Sequence, residues 1–160
     1  MGEVTFRIAT EADVPLIFRF IMALAEYESL TDMVTATQEG LRESVFNNKQ
    51  AEVFFAVVDG VEVGYALFFQ TYSTFAGRAG IFLEDLFVLP EYRGKGYGKA
   101  ILQHLARITL ERGCTRLEWW CLDWNKPSIA FYLSLGAQKL DQWTAYRLTE
   151  TALSQLAEEK

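Results

Sequence analysis

The chain has 160 residues, is 51% hydrophobic and 22% charged, and carries a formal charge of −6. Its length suits one domain with an apolar core, and its composition is that of a globular protein rather than a disordered one. The acidic balance excludes a nucleic-acid binder that works through a basic face, and leaves room for a cationic small substrate.

Val4–Ala9 reads as a first strand. Thr10 with Asp13 three places on is close to a capping box, and Pro15 is tolerated in a first turn. Val14, Ile17, Phe18, Ile21, Leu24 and Ala25 recur at helical spacing, which predicts a helix to about Tyr27. A polar stretch and a short helix near Glu39–Phe46 come next. Val53–Val58 and Val61–Tyr72 form a hairpin around Asp59-Gly60, both of which accept positive φ, and Gly64 marks a candidate bulge. Ser73–Gly80 is then a loop. Ile81–Val88 is an apolar strand carrying Glu84 and Asp85, which point to opposite faces if the strand is regular.

Beyond a glycine-rich segment, Ile101, Leu102, Leu105, Ala106 and Ile108 predict a helix that stops at Gly113. Leu117–Leu122 is a strand. Asn125-Lys126-Pro127 opens a helix with asparagine as cap and proline early, and Gly136 closes it. Trp143–Leu148 reads as a last strand, with one more short helix in the tail. Antiparallel strands followed by two strand–helix units predict a single α/β (α+β) domain over residues 1–160, built on one central sheet.

The segment Arg93-Gly94-Lys95-Gly96-Tyr97-Gly98 sits between a strand and a helix. Glycine lets backbone approach a ligand closely, the N–H groups of a helix start attract phosphate, and Arg93 and Lys95 add positive charge. The spacing is neither that of a Walker loop nor that of a dinucleotide fingerprint, which would follow its strand at once. Asp123 at a strand end keeps a nucleotide-binding alternative open. Cys114 and Cys121 suggest neither a disulfide framework nor a zinc site, and they fall on opposite faces if they share one strand. His104, the only histidine, reads as a helix-surface residue; no metal site is expected. The N-terminus lacks a basic, then apolar, then small-residue signal, and no apolar run is long enough to span a bilayer. A cytoplasmic location is the expectation.

Arg93-x-x-Gly96-x-Gly98 resembles the acyl-CoA pyrophosphate loop of the GNAT N-acetyltransferases. Leu83-Glu84-Asp85-Leu86-Phe87-Val88, Pro90-Glu91-Tyr92-Arg93-Gly94, Leu122-Asp123-Trp124-Asn125, Phe131-Tyr132 and Leu135-Gly136-Ala137 fall in the family's order. With Glu26-Tyr27-Glu28 and Tyr72-Ser73-Thr74, they are similar to the diamine acetyltransferase branch, and to its thialysine type more than its spermidine/spermine type. The resemblance implies the acyl-CoA N-acyltransferase fold, a mixed sheet splayed open between the strand ending at Val88 and the one ending near Leu122. It implies acetyl-CoA as cosubstrate, with pantetheine along Leu86, Phe87 and Val88. Arg93 and Gly94, Lys95, Gly96, Tyr97, Gly98 and Lys99 would serve the pyrophosphate, and Asn125 to Ser128 the pantetheine side. It also implies a homodimer.

Acetyl transfer needs a neutral amine, yet an alkyl amine of pKa about 10 arrives protonated. The resemblance places Glu84 at the substrate, where a carboxylate takes that proton directly or through water, and matches Tyr132 to the general acid for the leaving thiolate and to a cofactor contact. A backbone N–H near Phe87 or Val88 would polarise the carbonyl. Tyr27, Glu28, Glu118, Trp119 and Trp120 are the acceptor candidates, acids for an ammonium and aromatic faces for cation–π contact. Spermidine/spermine enzymes carry an aspartate and a tryptophan in the loop that here reads Tyr72-Ser73-Thr74-Phe75. Loss of that acid argues for a lysine-like amine, thialysine or a short diamine over a long polyamine. A non-catalytic acyl-CoA-binding module and a protein or peptide acetyltransferase remain as alternatives.

Overall fold

A computed structural model describes residues 2–159. They fall into two compact units, one ending at Trp120 and the other starting at Cys121.

The first unit is a five-stranded sheet in the order β1 (Val4–Ile8), β2 (Glu52–Val58), β3 (Val61–Ser73), β4 (Arg78–Val88), β5 (Leu117–Trp119). The first four strands are antiparallel neighbours, and β5 lies parallel to β4. Helix α1 (Val14–Tyr27) covers one face. Its Ile17 and Phe20 join Val45, Val53, Phe55, Tyr65 and Phe87 in a buried cluster. Helix α2 (Gln38–Leu41) continues as a π-helix over Arg42–Asn47. Helix α3 (Tyr97–Glu111) lies against the other face, burying Ile101, Leu102 and Leu105. Coverage on both faces explains the unbroken buried run Val53–Ala56 where alternation would otherwise be expected.

Local signals work as expected at several points. The Thr10 N–H donates to Asp13 Oδ2 at 2.8 Å, completing half of the capping box. Arg7 holds Asp13 at 2.7 Å and Glu62 at 2.9 Å, so the strand, the turn before α1 and β3 share one ion network. That guanidinium keeps the Asp13 carboxyl below the usual aspartate range. Asp59 and Gly60 both take positive φ in the β2–β3 turn. The register there moves from Val57 opposite Glu62 to Ala56 opposite Gly64, so Val63 is the extra residue of a bulge.

Several expectations require correction. Ser73–Gly80 is not a loop: β3 runs to Ser73 and β4 starts at Arg78, with only a tight turn between them, in which Ser73 Oγ accepts from the Ala76 N–H at 3.2 Å. The last strand of the sheet ends at Trp119 rather than Leu122. Cys114 and Cys121 flank that strand and do not lie in it. His104 is half-buried rather than on the surface, its ring stacked on Phe6 at 4.1 Å and edge-on to Phe54 at 4.8 Å. Burial lowers its pKa, so at neutral pH it is an aromatic packing element.

The second unit holds α4 (Lys126–Ser134) and α5 (Glu150–Glu158). Trp143–Leu148, expected as a last strand, is not one. A strand exists only where another supplies its hydrogen bonds, and this segment has no ladder partner among the described residues. No helix among the described residues is long and apolar enough to cross a membrane.

Gly64 tests the fit between the bulge and α3. A Cβ there would lie 2.9 Å from the Phe87 carbonyl oxygen and 3.0 Å from Ile101 Cδ1. Gly64→Ala should therefore cost about 1–3 kcal/mol of stability, as overpacking does. Denaturant unfolding checks this.

Candidate functional site

Strand β4 carries a second bulge, and the site is built around it. Phe68 faces Leu83 and Leu67 faces Asp85, so Glu84 has no residue opposite on β3. The extra residue reverses the alternation that a regular strand would keep. Asp85 therefore shares the α1 face with Leu67, Tyr65 and Phe87, and the expectation that it points to the face opposite Glu84's regular position does not hold. The Tyr65 hydroxyl donates to Asp85 Oδ2.

The bulge also marks where β5 leaves. Pairing between β4 and β5 stops at Leu83–Trp119, while β4 continues to Val88 beside β3. The Leu89 N–H donates to Val63 O at 2.9 Å, towards β3. Alternation along the strand then turns the N–H groups of Val88 and Leu86 to the edge that β5 does not pair. Phe87 faces the other way, with its carbonyl close to Gly64. The sheet thus opens where the resemblance places the pantetheine and the polarising N–H, and the N–H groups on that edge are those of Leu86 and Val88.

Burial perturbs the acids on the α1 face. Burial raises the Asp85 carboxyl, with the bond from Tyr65 opposing the rise. Glu28, at the C-terminus of α1, is raised by burial and then by the charge of Asp85. Tyr65, fully buried, is held well above the ordinary phenol range by burial and by Asp85. Tyr65 was absent from the sequence-derived candidates. Its one legible signal was a phenol inside an apolar strand, which must find a partner when buried.

Past β4, a turn of 3-10 helix (Pro90–Tyr92) leads into the glycine segment. Gly94 and Gly96 take φ of 76° and 84°, the left-handed region that glycine enters freely. Gly96 caps α3 with no side-chain hydrogen bond. The first N–H groups of α3 thus lack an intrahelical or side-chain acceptor and suit a phosphate. A Cβ at Gly94, Gly96 or Gly98 would meet nothing within 4 Å, so protein packing does not require glycine at Gly98, and close approach of a ligand does explain it. Tyr97 is buried in the core, leaving only its backbone for a ligand, while Lys95 stands over the Tyr92 ring at 5.5 Å and Lys99 is exposed. The Arg93 side chain turns towards α1: Nε donates to Val88 O at 2.9 Å, and the guanidinium lies over the rings of Tyr27 and Phe87 at 4.8 and 4.9 Å.

The remaining candidates divide. Tyr27 and Glu28 end α1 on the face that carries Asp85 and Phe87. Glu118 faces Phe82 in the β4–β5 ladder and pairs loosely with Arg116 at 3.8 Å. Trp119 is half-buried; Trp120, 69% exposed, sets its ring edge-on to Phe82. In the second unit, Asn125 caps α4, its Oδ1 accepting from the Ser128 N–H at 3.4 Å. Tyr132 is half-buried in that helix, its ring 5.6 Å from that of Phe131. Among the described residues no group of His, Cys, Asp and Glu could hold a metal ion.

Gly98→Ala separates ligand binding from folding. Alanine is the better helix former by up to about 1 kcal/mol, so stability should stay level or rise. A methyl group against bound phosphate should raise KM for acetyl-CoA on the order of tenfold, the effect of weakening a hydrogen bond to a charged group. Thermal unfolding and donor titration measure the two effects.

The glycine loop at a helix start, beside a strand edge that its neighbour abandons, agrees with comparisons to known proteins. The model of the acetyltransferase (GNAT) family matches residues 20–137. A thialysine N-epsilon-acetyltransferase from Bos taurus is 40% identical, over 98% of this chain and 99% of its own length. An L-ornithine N5-acetyltransferase from Arabidopsis thaliana is 31% identical, over 92% of this chain and 85% of its own. Among solved structures, an integron cassette protein from V. cholerae matches with a TM-score of 0.81 at 27% identity, covering 99% of each chain. The chain belongs to the GNAT acetyltransferase family, whose enzymes take their acetyl group from acetyl-CoA.

Proposed function

We propose that residues 1–160 act as one N-acetyltransferase domain that moves the acetyl group of acetyl-CoA to a primary amine of a small cationic acceptor: a lysine-like amino acid, thialysine or a short diamine. The observation that carries this reading is the open β4 edge, which turns the Leu86 and Val88 N–H groups away from β3 immediately before the glycine loop. The family match crosses the boundary between the two units, which supports a single catalytic domain. Relatives named for thialysine and ornithine acetylation support an acceptor that offers a side-chain amine.

In this reading acetyl-CoA supplies a thioester, and the residues supply the rest. Backbone N–H groups from Gly94 to Lys99 take the pyrophosphate, with Asn125 and Ser128 serving the pantetheine. The N–H of Val88 or Leu86 donates to the carbonyl oxygen as negative charge builds there. Glu84 receives the ammonium proton, directly or through water, and the freed amine forms the C–N bond as the C–S bond breaks. Tyr132 gives its phenolic proton to the departing sulfur. The acids Glu28 and Asp85 hold the acceptor end of the site electronegative, and Glu118, Trp119 and Trp120 line its further side.

We also propose a homodimer. Trp143, Tyr146 and Leu148 are exposed in a segment that has no ladder partner among the described residues; a second copy supplies one.

Tyr132→Phe isolates the acid step. Turnover should fall by about 10²-fold or more, the range for a positioned general acid, with little change in acetyl-CoA affinity. Thiol release in the presence of an amine panel measures turnover. Turnover near that of the unmodified protein would remove Tyr132 from the mechanism, and absence of thiol release with every amine would favour a non-catalytic acyl-CoA binder.

A further inference from the structure

Two side chains of opposite charge line one cleft without pairing. The cleft, about 320 Å³, is bounded by Ala23, Glu26 and Tyr27 of α1 and by Phe87, Pro90 and Arg93. Arg93 is fixed by its bond to Val88 O and by its place over the two aromatic rings. These contacts occupy Nε and the guanidinium face but not the terminal fork of Nη1 and Nη2. Among the described residues neither Arg93 nor Glu26 forms an ion pair. A guanidinium held flat with its fork unpaired is preorganised for a carboxylate, and a carboxylate a short way across the same cleft suits an ammonium.

We infer that Glu26 and Arg93 form a head-group subsite that reads the ammonium and the carboxylate of an α-amino acid whose side-chain amine is the acetyl acceptor. The inference rests on the acetyltransferase reading above and adds residues that set its specificity. It gives the Arg93 side chain a place on the acceptor side. That side chain lies on Tyr27 and Phe87, on the face covered by α1, whereas α3 packs on the opposite face. Only the backbone that follows Arg93 continues into the phosphate-binding loop.

Length and charge agree with this assignment. Phe87 stands three residues along β4 from Glu84, about 10 Å at ~3.3 Å per residue. A head group in the cleft thus directs an extended four-carbon side chain along β4 towards the bulge. A zwitterionic head group satisfies both unpaired charges, whereas a diamine leaves Arg93 without a counter-ion and sets its own second cation near it. The cleft therefore favours amino acids over polyamines independently of the Tyr72–Phe75 turn.

The test crosses two variants with three acceptors: L-lysine, cadaverine (which lacks the carboxylate) and 6-aminohexanoate (which lacks the α-ammonium). Arg93→Gln should raise KM for lysine and for 6-aminohexanoate about tenfold or more relative to KM for cadaverine, as expected for loss of a charge-assisted bond. Glu26→Gln should raise KM for lysine and cadaverine and spare 6-aminohexanoate. A uniform effect of Arg93→Gln on acetyl-CoA binding cancels in these ratios. Glu26 is exposed, so its variant tests half the subsite free of any packing cost. Shifts that are equal for all three acceptors, or no shift in either variant, overturn the subsite while leaving acetyl transfer intact. No transfer to any of the three by the unmodified protein overturns the reading on which it rests.

Discussion

One extra residue in β4 organises the acceptor and donor ends of this protein. With Glu84 unmatched on β3, the strand keeps its ladder with β3 on one side and parts from β5 on the other. A bulge sharpens local twist and ends pairing, so the residue proposed to take the amine proton also frees the Leu86 and Val88 N–H groups. The bulge in β3 at Val63 lies close by, and the tight approach of Gly64 to the Phe87 carbonyl holds the end of β4 in place. An open strand edge costs stability unless something covers or uses it, which makes this edge a functional feature rather than a flaw.

Charge is sorted along the same strand. Acids gather on the α1 face around the bulge, where burial raises Asp85, and burial with the charge of Asp85 raises Glu28. Cationic side chains and unpaired helix N–H groups gather after Val88, with Lys95, Lys99 and the start of α3. In the proposed reaction this sorting would draw an acceptor cation and a donor polyanion to successive stretches of β4, bring amine and thioester together and lower the entropic part of the barrier. Arg93 stands at the junction, its backbone opening the phosphate loop and its side chain stacked towards α1.

The sequence was most legible where a local rule decides the structure. The apolar hairpin strands, the Asp59-Gly60 turn, the span of α1, the Asn125 cap and the glycine loop all follow from residues within a few positions of each other. The bulge at Glu84 was not legible, because an extra residue in one strand is defined only by its partner, and Leu67 lies far away in sequence. The same reason hid the Tyr65–Asp85 bond and the stacking of His104 on Phe6. Trp143–Leu148 shows the converse: its β-branched and aromatic residues suit a strand, but composition supplies no hydrogen-bonding neighbour. The roles proposed for Glu84 and Tyr132 rest on family resemblance rather than on residue patterns, since a tyrosine in a helix and an acid in a strand each have ordinary structural uses.

The central claim is that the β4 edge beyond the bulge is open and receives the donor. Residue-resolved amide hydrogen exchange, with and without acetyl-CoA, addresses it directly. The Leu86 and Val88 amides should exchange readily in the free protein and become protected when acetyl-CoA is added, while the Phe87 amide, on the β3 side, stays protected throughout. Protection of Leu86 and Val88 in the free protein, or exchange there that acetyl-CoA leaves unchanged, would contradict the account.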